Sequence, residues 1–245
     1  MRALITGITG FAGGFLAQVL LDQGDELFGV SRWRRHGLEH LSQEVIPLTT
    51  DLRDPTVVEN ILTDIRPDVI YHLAGQAFVP AAWTDPWATV ENNIRPQLNI
   101  LQAMVHHRSK ARLLIVTSNQ AYGYVRSDEL PVSETTPFRP DNPYGVSKAT
   151  QDILGLQYHL SHGLDIIRAR AFNHIGPRQS ASFVAASFAK QIAEIEAGLV
   201  EPVLRVGNLD VERDFTDVVD VGRAYALLVK HGEAGEAYNV GTGKA

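Results

Sequence analysis

The opening stretch, MRALITGITGFAGG, constrains this chain more than any other. A short apolar run from Ala3 to Thr6 leads into glycines at 7, 10 and 13, and a helical pattern follows from Phe11 to about Gln23, with Gly24 as its stop. Glycines at these steps let the backbone turn tightly and approach a pyrophosphate. The N-terminus of the next helix attracts that group through its free N–H groups and dipole. The bland alternative is a plain strand-to-helix turn; the strand before and the helix after are the context that favours nucleotide binding at Gly7, Gly10 and Gly13.

The same rhythm repeats along the chain. Leu27 to Val30, Val45 to Leu48, Val69 to Leu73, Leu113 to Thr117 and Ile166 to Arg170 read as further strands, alternating with helical patterns as in a parallel α/β sheet. Asp54 and Pro55 are a cap and first residue for a helix that closes before Pro67. A long helix is expected over Trp87 to His107, kinked or broken at Pro96. Beyond Arg170 the pattern predicts a helix from Phe183 to Ala197, a strand from Pro202 to Val206, and a helix from Val218 to Lys230. The expected fold is a Rossmann-type doubly wound parallel sheet over residues 1–170, with residues 171–245 forming a small substrate-binding portion intertwined with it. At 245 residues such a chain buries a full core.

Composition excludes several functions. A net charge of −6 argues against a nucleic-acid surface, no apolar run is long enough for a membrane span, and zero cysteines rule out disulfides and thiolate chemistry. A cytoplasmic location is the expectation. His36, Glu39 and His40, like the pair His106 and His107, lack a well-spaced third ligand for a metal. Trp83 and Trp87 are expected to pack in a core or an interface.

Cofactor choice in such folds is read after the second strand, where an acid bonds a ribose 2′-hydroxyl and an arginine accepts a 2′-phosphate. Here the residues are Ser31, Arg32, Trp33, Arg34 and Arg35, with no acid among them. This favours NADP(H), with NAD(H) the alternative, and a solvated basic loop is the bland reading of the same residues.

Asn142 and Pro143 start a helix on which Tyr144 and Lys148 are four residues apart and share a face. A phenol titrates near ~10 in water, so it needs help from a cation to exchange protons at neutral pH, and Lys148 is placed to give it. Tyr144 is then the proton donor to a carbonyl, and Lys148 tunes it and holds the nicotinamide ribose. Ser118, at the carboxyl end of the Leu113 to Thr117 strand, can polarise the same carbonyl. The alternative is a surface pair on an amphipathic helix whose core stripe is Val146, Ile153, Leu156 and Leu160.

Taken together these motifs resemble the extended short-chain dehydrogenase/reductase family over nearly the whole chain. TGITGFAGG is similar to its cofactor turn, which adds Phe11 and Ala12 to the cofactor contacts; Asp51-Leu52-Arg53-Asp54 is similar to its adenine-side motif, and His72-Leu73-Ala74-Gly75 to its fourth-strand end. Asn93 matches its helical asparagine. The resemblance therefore implies cofactor contacts at Asp51, Leu52, Leu73, Ala74, Gly75 and Asn93. RAFNHIGPRQS at 170–180 and VGNLDVERDF at 206–215 resemble the branch that contains GDP-mannose 4,6-dehydratase and GDP-4-keto-6-deoxy-mannose reductase. That likeness implies a nucleotide-sugar substrate held by Asn119, Gln120, Asn173, Lys190, Asn208 and Arg213, and a homodimer formed by the helices at 87–107 and 143–161. Dehydration needs an acid after the serine to take a proton from C5, and this chain has the amides Asn119 and Gln120. The chain also stops earlier than the resemblance leads one to expect, so the substrate lobe is read as truncated. The leading expectation is a 4-keto reductase; the alternatives are a 4-epimerase that retains its NAD and a non-catalytic dinucleotide-binding protein.

Overall fold

A computed structural model describes residues 1–32, 41 and 44–245; Trp33, Arg34, Arg35, His36, Glu39 and His40 lie outside the described residues. In chain order the elements are β1 (Arg2–Thr6), α1 (Phe11–Asp22), β2 (Glu26–Ser31), β3 (Val45–Thr49), α2 (Pro55–Ile65), β4 (Val69–His72), α3 (Val79–Thr84), α4 (Pro86–His106) and β5 (Arg112–Val116). They continue with α5 (Pro143–His162), β6 (Ile166–Ala171), β7 (Asn173–Ile175), α6 (Val184–Glu196), β8 (Phe215–Asp217), α7 (Val218–His231) and β9 (Ala237–Val240).

Among the described residues, seven strands form one parallel sheet in the order β3-β2-β1-β4-β5-β6-β9. The order reverses between β1 and β4, and a crevice for a ligand opens at the carboxyl ends there. Both faces are covered, which is why these strands read as continuous apolar runs. On one face Leu16, Leu20, Val221 and Tyr225 from α1 and α7 pack on Ile5 and Ala169. On the other, Ile61, Leu62, Ile100 and Met104 from α2 and α4 pack on Leu4, Ile70 and Leu113. The last third of the chain thus returns to the sheet through α7 and β9.

Helix starts follow the capping chemistry. The side chain of Asp54 accepts from Thr56 N at 2.8 Å and that of Asn142 from Gly145 N at 2.8 Å, each ahead of a proline at the first helical position. α4 runs unbroken through Pro96, which is buried in the packing. Two readings need correction. Residues 202–206 form no strand: the side-chain amide of Gln191 donates to Arg205 O at 3.1 Å and accepts from Arg205 N at 2.8 Å, taking the bonds a neighbouring strand would have offered. The stripe of Val146, Ile153 and Leu160 on α5 faces outward rather than into the core, at 45%, 57% and 73% exposure, and Leu156 is only half-buried. Trp83 and Trp87 are also exposed and belong to no core. No helix among the described residues is long and apolar enough to cross a membrane.

Candidate active site

The face of α5 that is buried is the one that carries Tyr144, Ser147, Lys148 and Asp152. Its first turn lies hard against the loop that follows β5, where a Cβ on Gly145 would stand 2.4 Å from Gln120 O. Only a glycine lets the helix come that close, and the approach brings the phenol of Tyr144 near enough to the Ser118 hydroxyl for the two to interact. Ser118 itself is buried and caps a short 3-10 turn over Asn119–Ala121; its Oγ accepts from Gln120 N at 3.2 Å and donates to Asn119 Oδ1 at 3.3 Å. Lys148 Nζ donates to Val116 O at 3.0 Å and lies 5.9 Å from the centre of the Tyr144 ring. The three residues expected to act together are therefore neighbours.

Their electrostatics differ from expectation in one respect. Burial pushes the Tyr144 phenol up to about 12, and the Ser118 hydroxyl pulls it partly back down. Burial also lowers Lys148 to about 8. Desolvation, rather than the lysine, governs the phenol in this geometry, so Tyr144 keeps its proton at neutral pH. That is the form a carbonyl reduction consumes.

Beside this trio a cleft opens at the carboxyl ends of β1, β2 and β4. It is lined by Gly7, Gly10, Ser31, Arg32, Asp51, Leu52, Leu73, Ala74 and Gly75, all of them anticipated, and by Thr9, Thr50, Arg53 and Asn92, which were not. A Cβ on Gly7, where φ is +73°, would sit 2.8 Å from the Ala74 backbone, so the two strand ends can meet only at a glycine. No side chain among the described residues caps α1, whose N-terminus directly follows the cleft-lining Thr9 and Gly10, and free N–H groups at a helix start favour an anion. A dinucleotide diphosphate fits that donor set. Arg32 donates to Asn92 Oδ1 at 2.9 Å at the cleft wall. The fork of Arg53 grips Asp51 through Nε and Nη2 and, with Arg32 nearby, holds its carboxyl below the usual carboxylate range.

Two anticipated cofactor residues sit differently. Asn93 is fully buried and does not line the cleft; it accepts from Gln76 N at 2.7 Å and donates to Gln76 O and to Ser147 Oγ at 2.8 Å, tying the loop after β4 to α5. Phe11, at the first turn of α1, stacks on His174 of β7 with centroids 5.8 Å apart, while Ala12 and Gly13 continue that turn. His72 was noted only as part of a motif. It is fully buried, burial lowers it to about 3, and its Nδ1 shares a 2.8 Å hydrogen bond with the Thr6 hydroxyl, whose Oγ1 also accepts from Ala74 N.

The substrate-side candidates are more scattered. Gln120 Oε1 accepts from Asn142 Nδ2 at 3.1 Å, beside the catalytic helix. Asn173 is half-buried on β7 and donates to Asp214 O at 3.3 Å. Lys190 on α6 pairs with Glu194 at 3.7 Å, Asn208 accepts from Asp210 N at 2.9 Å, and the Arg213 guanidinium makes one long bond to Glu212 O; all three are exposed. Among the described contacts, none of these three residues bonds Ser118, Tyr144 or Lys148. His106 and His107 both face Glu59 on α2.

Comparison with known proteins follows the same lines. Residues 4–245 match the family described as GDP-mannose 4,6 dehydratase. The chain is 39% identical to the GDP-6-deoxy-D-mannose reductase of Pseudomonas aeruginosa, over 99% of its own length and 75% of the relative's. The structure of RMD from Pseudomonas aeruginosa complexed with NADPH superposes with a TM-score of 0.84 at 38% identity, covering 100% of this chain and 79% of that one. The Thermus thermophilus UDP-glucose 4-epimerase, in complex with NAD, gives a TM-score of 0.87 at 33% identity over 100% of this chain and 78% of that one.

Proposed function

The chain belongs to the GDP-mannose 4,6-dehydratase family of extended short-chain dehydrogenase/reductases, and from that premise we propose that it reduces the 4-keto group of a nucleotide-linked 6-deoxy sugar, GDP-linked by preference, at the expense of NADPH. The observation that carries this reading is the pair of amides after Ser118. Dehydration requires a base to take a proton from carbon, and neither Asn119 nor Gln120 can serve as one. Both amide oxygens are occupied as acceptors, from Ser118 and Asn142. Ketone reduction needs only a proton donor at the carbonyl oxygen, and Tyr144 keeps its proton at neutral pH.

The cofactor would be held by the turn from Gly7 to Gly13, by Asp51 and Leu52 on the adenine side, by Ser31 and Arg32 at the ribose 2′ position, and by Leu73, Ala74, Gly75 and Lys148 towards the nicotinamide. Arg32 offers a fork suited to a 2′-phosphate, which favours NADPH, with NADH the alternative. When bound, the nicotinamide supplies the hydride. The Ser118 and Tyr144 hydroxyls, near enough to interact, would both bond a single carbonyl oxygen, and Tyr144 would deliver the proton there. Lys148, in its charged form, favours the phenolate that remains. Asn173 and Arg213 are assigned to the sugar diphosphate, Lys190 and Asn208 to the base. The same reading includes a homodimer through α4 and α5, where Trp87, Val146, Ile153 and Leu160 face outward. Light scattering at micromolar protein checks it, and a monomer would remove it.

The deciding experiment is NADPH oxidation with GDP-, UDP- and dTDP-linked 4-keto-6-deoxy sugars. Stoichiometric NADPH use with the GDP-linked ketone is expected. Interconversion of 4-epimers with bound NAD and no net NADPH use would make the protein an epimerase, and cofactor binding without turnover of any of them would make it a non-catalytic binder.

A further inference from the structure

We propose that Asp152 is the positioning residue that sets the separation of the Ser118 and Tyr144 hydroxyls; the inference rests on the catalytic reading of those two side chains. They belong to different elements, α5 and the end of β5, and catalysis needs them aligned to within about half an ångström. Asp152 lies eight residues after Tyr144 and four after Lys148, on the same buried face, and is fully buried. Its Oδ1 accepts from Arg168 Nη1 at 2.6 Å and from Arg170 Nη2 at 2.9 Å, and its Oδ2 accepts from Arg170 Nε at 2.8 Å and lies 3.4 Å from the Thr117 hydroxyl, whose single proton it shares with Ala169 O at 3.2 Å.

These bonds reach Ser118 from both sides. Thr117 immediately precedes it. Tyr122 closes the short turn after it, and Tyr122 Oη accepts from Arg170 Nη1 at 2.9 Å while donating to Asn239 Oδ1 of β9 at 2.7 Å. One carboxylate cannot neutralise two guanidiniums; the surplus charge of Arg170 rests over the rings of Phe138 and Tyr122, at 4.6 and 5.3 Å. A buried ion cluster of this kind adds little to stability over well-packed apolar residues, whereas its directional bonds fix a register, which is the role the geometry suits.

The test is a double-mutant cycle in the full chain. Asp152→Asn keeps the shape and removes the charge. We expect it to bind NADPH within about twofold of wild type, to lose roughly 10²-fold in kcat with KM little changed, and to lose nearly nothing further when combined with Ser118→Ala, because the alignment it serves is then already gone. Losses that multiply in the double variant, or a change confined to KM, overturn the proposal. Thr117→Val leaves both ion pairs in place and should show the same dependence on Ser118 at smaller size, which decides the matter if Asp152→Asn does not fold. A crystal structure of either variant, set beside that of wild type, gives a readout independent of substrate: the Ser118 and Tyr144 hydroxyls should stand further apart than in wild type, and an unchanged separation sinks the idea. If wild type turns over no keto sugar, the reductase reading fails and this structural result still decides the positioning role.

Discussion

The half of the molecule built from β1 to β6 and the stretch from 183 to 215 treat their apolar residues in opposite ways. In the first, α1 buries Leu16, Ala17 and Leu20 against the sheet, and the residues with chemical potential, Ser118, Tyr144 and Lys148, are buried with named partners. In the second, α6 buries none of its residues, Leu199, Val203 and Leu209 are 74%, 60% and 68% exposed, and the substrate candidates Lys190, Asn208 and Arg213 lie near solvent. The difference teaches that the residues proposed for proton transfer are built into the packed half, while those proposed to grip a substrate lie on the open stretch, exposed to solvent. Such groups act mainly on binding.

The largest expected effect tests the first half of that statement. Tyr144→Phe deletes one hydroxyl from a buried, close-packed site, so it should leave NADPH affinity intact and lower kcat by roughly 10²–10⁴-fold. Arg213→Ala, from the open stretch, should act on KM instead. If the two substitutions produced the same kcat defect, the contrast between the halves would be lost. Next in size is Leu16→Ala, at a position with no exposure, which should cost about 2–5 kcal/mol in urea unfolding.

How far the sequence was legible follows the same divide. The strands, the glycine turn and the Tyr144–Lys148 helix were readable because local pattern and tertiary packing agree there. The stripe of Val146, Ile153 and Leu160, the alternative reading of that helix, fails because periodicity identifies a helix but not which of its two plausible faces meets the sheet; the buried face of α5 carries Gly145, Ser147, Gln151 and Asp152, small and polar residues that a hydrophobic pattern ignores. The strand expected at 202–206 failed because a strand requires a neighbour, and Gln191 takes that place from outside the window. Asp152 did leave a signal. Arg168 and Arg170 alternate within an otherwise apolar strand that is flanked on both sides, and guanidiniums at such positions are seldom buried without a carboxylate partner.

A smaller effect sharpens the comparison from the functional side. Lys148 is held at about 8 by burial, below the usual lysine value near ~10.4. At pH 7 both folded and unfolded chains carry the ammonium, and the folded one does so at a desolvation cost. Between about pH 8 and the unfolded value the folded side chain is neutral while the unfolded one still binds its proton, so stability rises with pH across that window. Lys148→Met should therefore unfold at higher denaturant than wild type at pH 7, by on the order of 1–3 kcal/mol, and the gap should narrow as pH rises through that window. A variant less stable than wild type at pH 7 would mean that the bond to Val116 O outweighs desolvation. Loss of activity should follow in either case.

The smallest expected effect bears on the open stretch itself. Leu209 is 68% exposed, between Asn208, which is turned towards Asp210 N, and an aspartate that continues the turn. A side chain that meets water in the folded state loses little transfer free energy when it is shortened, because burial is what gives a leucine its weight. Leu209→Ser should accordingly leave stability within about 0.5 kcal/mol of wild type, against the several kcal/mol expected at Leu16. Urea midpoints measured on both variants make the comparison directly. A loss above about 1 kcal/mol at Leu209 would mean that the side chain is covered in solution, and the opposition between a packed half and an open stretch would then be a difference in what covers each, rather than in how each is built.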